Sequence, residues 1–269
     1  REFLTDPPEN LDSALLKLRS LQQFAVRGRG DALESPINQV HELAPSAQLV
    51  SPTEAHALFP LLRAEHIDAA LFDPEAMEVD VHALHQGYVR GLRARGGFVV
   101  TSGGVVALER LGEVWQVTSS DGSIRRAPVV VNAAGAWADS VADLAGAARV
   151  GLQPLRRTIF MLGLPEGADL ARLPTLSDID ESFYLKPEGN QMLCSPADET
   201  PTEPCDARPD DLEIARALDA IGEATTLTTR HVRSSWAGLR SFVADRTPVV
   251  GFDATVEVMK DGTIVSGDS

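Results

Sequence analysis

The sequence predicts a mixed α/β (α+β) fold, in which a partial Rossmann-like sheet is combined with a domain built on an antiparallel sheet. The first observation is a strand–turn–helix pattern over residues 128–146, where a Val-rich run is followed by Ala133-Ala134-Gly135 and an amphipathic helix. The second is a series of short strand-like runs beyond residue 150, separated by Pro and Gly. The strand–turn–helix pattern and the short strand-like runs occupy different parts of the chain. Such a separation is typical of folds that combine a parallel sheet with an antiparallel one.

The composition restricts the class of protein. The 269 residues can bury the core of one large or two modest domains, and 43% hydrophobic with 23% charged residues is typical of a globular protein. The formal net charge of -15 argues against binding to nucleic acid or an anionic membrane. No apolar run approaches the ~20 residues of a membrane span, and residues 1–5 do not have the pattern of a signal peptide. Cys194 and Cys205 could pair, but so few thiols favour a reducing, cytoplasmic compartment.

The first 50 residues contain a predicted helix, a strand and a loop that has two interpretations. Leu11, Leu15 and Leu18 lie on one side of a short helical pattern, and a strand is predicted over residues 22–26. Arg27-Gly28-Arg29-Gly30-Asp31 has the appearance of a phosphate-binding loop. Because no helix follows this loop, a solvated turn is the better interpretation.

Two helices are predicted from their capping patterns. Ser51-Pro52-Thr53-Glu54 is a capping box with Pro at the first helical position, and the helix that it begins ends near Pro60. Asp80 caps a longer helix that ends at Gly96-Gly97. The apolar stripe of this longer helix contains Val81, Leu84, Tyr88 and Leu92.

A strand over residues 98–101 and a small meander precede the Val-rich run. The meander strands are predicted over residues 105–110, 114–119 and 124–127. This order favours a meander inserted in a parallel, nucleotide-binding sheet. The small residues at 133–135 leave main-chain N–H groups open to a nucleotide at the carboxyl end of a strand, and the alternative is a tight corner without a ligand.

Beyond residue 150 the pattern predicts an antiparallel sheet with a helix packed against it. The strand-like runs lie at residues 158–162, 182–186, 191–194, 225–230 and 232–237. The helix follows Pro209-Asp210, and its buried side is predicted to contain Ile214, Ala217, Leu218 and Ile221. Such an arrangement is typical of a domain that covers a substrate.

Three side chains in this second half have the chemistry of carboxylate anchors: Arg157, Tyr184 and Arg240. An Arg among apolar and glycine neighbours is costly to bury unless it faces an anion, and its planar fork matches a carboxylate. Tyr can add a hydrogen bond to the same carboxylate. The alternative is that these Arg residues lie at strand ends beside Asp or Glu partners.

The sequence contains no Gly-x-Ser-x-Gly, His-Glu-x-x-His or Cys-x-x-Cys motif for nucleophilic, metal or redox chemistry. His82 and His85 lie three residues apart on a predicted helix and could share a metal. With no third ligand suggested nearby, two surface histidines are the better interpretation. Anchors without an acid, a base or a metal indicate that a cofactor carries the reaction.

Several motifs together resemble a known family, the D-amino-acid oxidase/dehydrogenase superfamily of FAD-dependent enzymes. The motifs are Asp80–Leu84 with Gly87-Tyr88, Val129–Trp137, and Gly238-Leu239-Arg240 followed by Asp245–Gly251. Three further stretches look most like the soluble bacterial D-arginine dehydrogenase branch: Leu152–Arg157, Glu181–Pro187 and Glu223–Leu227. The resemblance covers roughly residues 50–251.

The resemblance implies an FAD cofactor and a small-molecule amino-acid substrate. In this family a D-amino acid is oxidised at its Cα–N bond to an imino acid by hydride transfer to the flavin. Carried over to this sequence, the family pattern implies that Arg240 binds the substrate carboxylate, that Tyr184 hydrogen-bonds it and that Arg157 lines the same pocket.

The resemblance also assigns the cofactor side and the domains. The backbone of Val105 would meet the adenine, and Ala134 and Gly135 would lie close to the adenosine half of FAD. The predicted domains are a partial FAD-binding domain with the meander (80–149 plus 247–269) and a substrate-binding domain (1–79 plus 150–246).

The sequence departs from the family pattern in three places. The Gly-x-Gly-x-x-Gly fingerprint is absent, and a predicted hairpin strand over residues 252–262 stands where a glycine-rich flavin segment should follow Gly251. The stretch Arg19–Gln22 matches a strand that carries a substrate-facing Glu in the D-arginine branch, yet it has no carboxylate. We therefore expect weak retention of FAD. The alternative function is a truncated, non-catalytic remnant or small-ligand-binding protein of the same fold, and the sequence predicts no oligomeric state.

Overall fold

The computed structural model describes residues 2–5, 15–163, 172–228, 230–253, 258–260 and 263–265. The helices are α1 (Glu2–Thr5), α2 (Glu34–Leu43), α3 (Pro52–Leu58), α4 (Val81–Ala94), α5 (Ala138–Ala145) and α6 (Asp211–Ala224). The strands are β1 (Leu16–Leu18), β2 (Leu21–Val26), β3 (Gln48–Val50), β4 (Ile67–Asp73), β5 (Met77–Val79), β6 (Val105–Leu111), β7 (Val114–Ser119), β8 (Ile124–Ala127), β9 (Gln153–Gly163), β10 (Thr175–Asp178), β11 (Tyr184–Glu188), β12 (Gln191–Ser195), β13 (Thr200–Pro201), β14 (Val232–Phe242), β15 (Val258–Lys260) and β16 (Thr263–Val265). Among the described residues, no helix has both the length and the apolar character that crossing a membrane requires.

Nine of the described strands form one sheet, which confirms the mixed α/β class. Its order is β13-β9-β12-β11-β10-β2-β4-β3, and β14 also pairs with β9. The registered pairs run antiparallel except β10 with β2, which are parallel. The predicted antiparallel sheet is therefore present, and it also includes strands from the first 80 residues.

Two compact units are distinguished by their internal contacts. We call Arg1–Phe98, Arg157–Asp198 and Ala207–Gly238 the sheet unit. The meander unit contains Val99–Arg156, Glu199–Asp206 and Leu239–Ser269. The domain boundaries inferred from the family resemblance stay a prediction.

One face of the large sheet forms the core of the sheet unit. Period-2 alternation along the strands directs Phe24, Leu176, Leu185, Cys194 and Phe160 to this face, and all five are fully buried. Helices α3 and α6 contribute their apolar sides to the same cluster. Each large side chain that is fully buried here contributes about 1.5–3 kcal/mol to the stability of the fold.

Helix α6 confirms the prediction made from its sequence. Asp210 accepts hydrogen bonds from the backbone N–H groups of Leu212 and Glu213, so the helix begins where the sequence indicates. Ile214, Ala217 and Ile221 are buried, and Leu218 packs at the edge of the core.

The other face of the sheet carries both apolar and polar side chains. Helix α2 and the turn before it pack a second cluster that contains Ala25, Leu33, Ile37, Ala47 and Leu71. Along β9 and β11 the half-buried polar side chains of this face are Arg157, Tyr184 and Lys186.

The loop over residues 27–31 is a closed turn, as its sequence favoured. The expectation that no helix follows it is wrong, because a 3-10 turn over Gly30–Leu33 and then α2 come directly after it. The carboxylate of Asp68 accepts hydrogen bonds from the N–H groups of Gly28 and Gly30 at 2.5 and 3.3 Å. Gly28 has φ +85°, a conformation that glycine adopts without strain. The amides that could have held a phosphate are thus taken by a side chain of the protein.

The remaining caps form where the sequence places them. Ser51 and Glu54 make the reciprocal hydrogen bonds of a capping box at the start of α3, and Asp80 caps α4 through the N–H of Ala83. Gly146 adopts the left-handed conformation, φ 69°, that ends α5. Local side-chain-to-backbone hydrogen bonds are readable from sequence because both partners lie within four residues.

The predicted N-terminal helical pattern is wrong in its described part. Leu16–Leu18 is strand β1, which pairs antiparallel with β5, while Leu11 lies outside the described residues. The spacing of Leu15 and Leu18 suits a helix, but tertiary pairing with β5 overrides this weak local preference.

The meander unit contains the predicted three-stranded sheet. Strands β6, β7 and β8 pair in sequence, and a bulge interrupts the ladder between Val105 and Ala107. Helix α5 packs against β6, and the buried apolar residues of the unit include Leu108, Ala136, Ala142 and Leu155. Asp139 on α5 accepts hydrogen bonds from three successive N–H groups, those of residues 150–152.

Two predicted strands of the nucleotide-binding sheet are not strands in the structure. Residues 98–101 and 128–131 belong to none of the described sheets, and Val129 and Val131 are 62% and 81% exposed. A strand needs a neighbour to complete its hydrogen-bond ladder, and no described strand lies in register beside either segment. The apolar runs were recognised correctly, but strand formation depends on a pairing partner.

Two further expectations were wrong. Residues 225–228 form only an isolated bridge between Thr225 and Leu62, and the predicted strand over 225–230 is absent from the described residues there. On α4, Val81 and Tyr88 of the apolar stripe are exposed, while Gly87 and Gly91 are buried. The buried positions of the helix are therefore its glycines, and not the whole of the predicted apolar stripe.

Candidate functional site

Arg157 and Tyr184 lie on the same face of the large sheet. Tyr184 on β11 is opposite Ser195 of β12, and the register of β12 with β9 continues this row to Ile159. Arg157 lies two residues before Ile159 on β9 and therefore faces the same way. Both predicted site residues are half-buried on the face opposite the core.

The backbone beside Arg157 is held by a buried carboxylate. Asp198 accepts hydrogen bonds from the N–H and the hydroxyl of Thr158, at 2.6 and 2.9 Å. The hydroxyl of Ser195 donates to the carbonyl of Thr158 at 2.7 Å. Because three hydrogen bonds fix the residue next to it, Arg157 projects from a rigid strand rather than from a loop.

A carboxylate, that of Glu78, lies beside Arg19 of the Arg19–Gln22 stretch. Its side chain accepts a hydrogen bond from Arg19 at 3.4 Å and also pairs with Lys186, which lies two residues beyond Tyr184 on the same face. Arg19 is buried and donates in addition to the carbonyl of Leu173 at 3.0 Å. Two cations therefore neutralise this carboxylate, so it does not offer a free negative charge to a substrate.

The pKa values of this cluster follow from its pairing. Burial raises the pKa of Glu78, but the hydrogen bond and charge of Lys186 and Arg19 outweigh it, so the pKa lies below its ordinary value. Burial lowers the pKa of Lys186, and its carboxylate partners Glu78 and Glu188 more than restore it, so the net shift is upward. Both groups are therefore charged at neutral pH.

Arg240 lies in an ionic cluster of the meander unit. Its guanidinium donates to Glu199 at 3.5 Å and stacks over the ring of Phe242, 4.8 Å from the centroid. Arg246 donates to both oxygens of Glu199, at 3.3 and 2.5 Å, and lies 4.6 Å from the same ring centroid. The alternative of an acidic partner thus holds for Arg240, and Glu199 accepts hydrogen bonds from two guanidiniums.

The three predicted cofactor residues also lie in the meander unit. Gly135 has φ +56° and begins the short turn that leads into α5, with no atom within 4 Å of the position where a Cβ would stand. Asn132 braces this turn, because its amide donates to the carbonyl of Ala138 and its oxygen accepts from the N–H of Ala134. Val105 begins β6 at the bulge and is 38% exposed.

These observations fit the adenosine half of FAD. The turn at Ala134-Gly135 is exposed on its outer side and carries no large side chain, so a ligand can approach its main chain. The exposed start of β6 at Val105 likewise presents an accessible strand edge. Among the described residues, no group of three or more His, Cys, Asp or Glu side chains could hold a metal ion.

Comparison with known proteins identifies the family. The family described as "FAD dependent oxidoreductase" (DAO) matches residues 15–267. The chain belongs to this family. FAD is therefore its cofactor, and the mixed α/β architecture with several sheets agrees with solved structures of similar fold.

Two curated relatives illustrate the range of the match. Mouse mitochondrial dimethylglycine dehydrogenase is 30% identical over 62% of this chain but over only 19% of its own length. Bovine FAD-dependent oxidoreductase domain-containing protein 1 is 27% identical over 97% of this chain and 60% of its own length. The chain thus spans about a fifth of the first relative and three fifths of the second.

Two solved structures share the fold. Glycine oxidase from Geobacillus kaustophilus superposes with a TM-score of 0.77 at 18% identity, covering 96% of this chain and 67% of that one. L-proline dehydrogenase from P. horikoshii gives a TM-score of 0.73 at 16% identity, covering 88% and 64%. At these identities the similarity concerns the fold.

Sequence reasoning missed four charged residues of these sites: Glu78, Asp198, Glu199 and Arg246. Asp198 and Glu199 stand together in a polar turn after β12, which signals an exposed loop rather than a buried anchor. Glu78 lies 59 positions from Arg19, and Glu199 lies 47 from Arg246. Contacts over such separations leave no local pattern in a single sequence.

Proposed function

We propose that this chain serves the FAD-dependent oxidation of D-amino acids, in which the Cα–N bond is oxidised to an imino acid. Membership of the FAD-dependent oxidoreductase family supports the cofactor and the redox class. The single observation that carries the substrate class is Arg240, a half-exposed guanidinium that reaches its acidic neighbour Glu199 through only one long contact of 3.5 Å. Such a guanidinium matches the α-carboxylate that every amino acid carries.

The roles of the polar side chains belong to this proposal. Arg240 binds the substrate carboxylate, Tyr184 donates a hydrogen bond to it, and Arg157 lines the pocket. FAD, when bound, supplies the acceptor for the hydride that leaves Cα. The side chains of this chain therefore need to orient the substrate rather than to exchange protons with it.

A thiol-based reaction is not favoured. Cys194 is buried on the core face of β12, and burial raises the pKa of its thiol, so the nucleophilic thiolate does not form at neutral pH. Cys205 is exposed in the meander unit. We assign neither cysteine a catalytic role.

The substrate side chain is proposed to be small and uncharged rather than basic. The neutralised state of Glu78 removes the carboxylate that a cationic side chain would need near Arg19. The names of similar proteins, dimethylglycine dehydrogenase and glycine oxidase, agree with compact substrates. D-Alanine is therefore the first probe, and D-arginine tests the branch that the sequence motifs resemble.

The test begins with visible absorption of the purified chain after incubation with FAD and gel filtration. Flavin bands that remain with the protein, and that bleach under anaerobic D-alanine but not L-alanine, are the expected result. Equal bleaching by both enantiomers would contradict the stereochemical proposal. If the protein retains the flavin but neither D-alanine nor L-alanine bleaches its absorption bands, the proposed substrate class is contradicted.

Calorimetry tests Arg240 directly. Arg240→Leu should weaken D-alanine binding by about ten- to a hundredfold, the loss expected for a charge-assisted hydrogen bond to a carboxylate. Arg149→Leu is the matched control, because Arg149 makes a similar exposed bidentate pair with Asp143. Unchanged binding in Arg240→Leu would rule out its role.

One observation favours the second candidate, a protein that binds a small ligand but does not catalyse its oxidation. The runs at 98–101 and 128–131, predicted to enter the nucleotide-binding sheet, belong to no described sheet. A chain that loses all FAD on gel filtration yet binds D-alanine in calorimetry would support this candidate over the enzyme.

A further inference from the structure

Arg246 adopts a backbone conformation that is unfavourable for its residue type. Its φ of +61° lies in the left-handed region, which Gly and Asn tolerate better than Arg. The turn that imposes this conformation is closed by the N–H of Arg246 donating to Val243 and by Asp245 accepting from Thr247. A strained residue that makes strong side-chain contacts is a candidate for a functional role.

Those contacts are with Glu199 and Phe242. Arg246 donates to both carboxylate oxygens of Glu199, the bidentate geometry that makes Arg–carboxylate pairs strong. Its guanidinium also lies 4.6 Å from the centroid of the Phe242 ring, within the range of a cation–π interaction. These interactions offset the unfavourable backbone conformation.

Arg240 competes for the same carboxylate and holds it less well. It reaches Glu199 through one nitrogen at 3.5 Å, whereas Arg246 has its shorter contact at 2.5 Å. Arg240 therefore keeps most of its five N–H donors for another anion. Both guanidiniums share the Phe242 ring, so the two side chains are held next to each other.

We propose that Arg246 is a positioning residue whose bidentate pair with Glu199 limits Arg240 to one long contact with that carboxylate, so that a ligand carboxylate can become the stronger partner of Arg240. This inference rests on the proposed function, because it explains how Arg240 stays open to a substrate carboxylate beside an acidic neighbour. Without Arg246, Glu199 is released and pairs more closely with Arg240. Binding of a ligand carboxylate at Arg240 then depends on how Glu199 is shared between Arg240 and Arg246.

The proposal predicts opposite effects for two substitutions. Arg246→Gly removes the strained conformation but frees Glu199, so it weakens carboxylate binding at Arg240 by about fivefold, the Coulomb effect of one exposed neighbouring charge. Glu199→Gln removes the competitor and strengthens binding by a similar factor. The double variant Arg246→Gly/Glu199→Gln restores binding to within about twofold of the unsubstituted chain.

The experiment titrates the full chain with acetate and follows the side-chain Nε–H resonance of Arg240 by ¹⁵N NMR, assigned by its loss in Arg240→Lys. Acetate is the probe because it has the carboxylate alone. Arg149→Gln is the matched control, since it breaks an equivalent bidentate pair with Asp143 and should leave the acetate affinity unchanged. Circular dichroism checks the fold of each variant, and Arg246→Asn replaces Arg246→Gly if the glycine variant unfolds.

The outcomes separate this inference from the proposed function. Equal acetate affinity in Arg246→Gly and the unsubstituted chain would overturn it, as would failure of the double variant to restore binding. Absence of any acetate effect at Arg240 would also overturn it. If the acetate pattern holds but neither D-alanine nor D-arginine binds, the positioning role of Arg246 stands and the amino-acid function fails.

Discussion

The sheet unit and the meander unit differ sharply in how they bury apolar side chains. The largest fully buried side chains all lie in the sheet unit, among them Phe24, Phe59, Phe160 and Phe183. The meander unit buries mainly small residues with Leu108 and Leu155, and it exposes Val131, Val250 and Phe252. Both units have apolar sequences, so composition does not cause the difference.

The difference shows what an apolar run needs in order to fold. In the sheet unit each central strand has two neighbours and two helices that cover its inner face. In the meander unit the runs at 98–101 and 128–131 have the residue types of buried strands but belong to no described sheet. Burial is thus a property of the partners that surround a segment, as well as of the segment itself.

The largest expected effect is loss of a core aromatic from the sheet unit. Phe160→Ala should lower the free energy of unfolding by about 3–5 kcal/mol, because it removes buried apolar area and leaves a cavity. The matched substitution in the meander unit, Phe252→Ala, should change it by less than about 0.5 kcal/mol, since Phe252 is 98% exposed. Urea denaturation measures both, and similar losses would contradict the comparison.

A smaller effect is expected at the ion cluster of the sheet unit. Glu78→Gln leaves the buried guanidinium of Arg19 without its carboxylate and should cost about 2 kcal/mol at pH 7. The pKa of Glu78 is lowered in the folded state, so its contribution is present above the ordinary value of 4.5 and is lost as the pH falls through the folded pKa.

The pH dependence provides the measurement. The stability difference between Glu78→Gln and the unsubstituted chain should therefore shrink in acid. Glu188→Gln is the control, because Glu188 also pairs with Lys186 but is 53% exposed, and it should cost far less. A difference that is constant between pH 3 and pH 7 would exclude the ionised pair as its cause.

The helix caps allow a finer comparison of the two units. Asp210 caps α6 with two hydrogen bonds, whereas α5 begins after Trp137 without a side-chain cap. Asp210→Ala should destabilise the sheet unit by about 1 kcal/mol, and Asp210→Asn, which keeps the acceptor, by much less. Thermal unfolding followed by circular dichroism gives both values, and equal losses would indicate that charge rather than capping is responsible.

The smallest effect on stability is expected from the exposed run of the meander unit. Val131→Lys should change the free energy of unfolding by less than about 0.5 kcal/mol, because the side chain is 81% exposed. It should nevertheless reduce self-association, since a charge blocks edge-to-edge pairing of an apolar segment. Sedimentation velocity compares the two chains, with Leu43→Lys on α2 as a control at an equally exposed position.

The fold class and several local features could be predicted from the sequence. The capping box at Ser51, the cap at Asp210 and the stop at Gly146 involve partners within four residues, so the pattern and the structure agree. The meander and the antiparallel strands followed from period-2 alternation and turn residues. The family followed from motifs that the chain carries in order.

The candidate site was predictable only in part. Arg157, Tyr184 and Arg240 could be selected because residue chemistry and neighbours are visible in a sequence. Their surroundings could not, because Asp198 and Glu199 act through contacts with residues about 40 positions away.

The sequence by itself determined where helices begin and end, which runs are apolar and which side chains can hold a carboxylate, because these depend on nearest neighbours and on intrinsic chemistry. Only the tertiary structure decided that Leu16–Leu18 is a strand, that the runs at 98–101 and 128–131 are unpaired within the described sheets, and that Arg246 shares Glu199 with Arg240. The physical reason is common to all three. Strand pairing, burial and the choice of ion-pair partners are set by groups that are distant along the chain and adjacent in space.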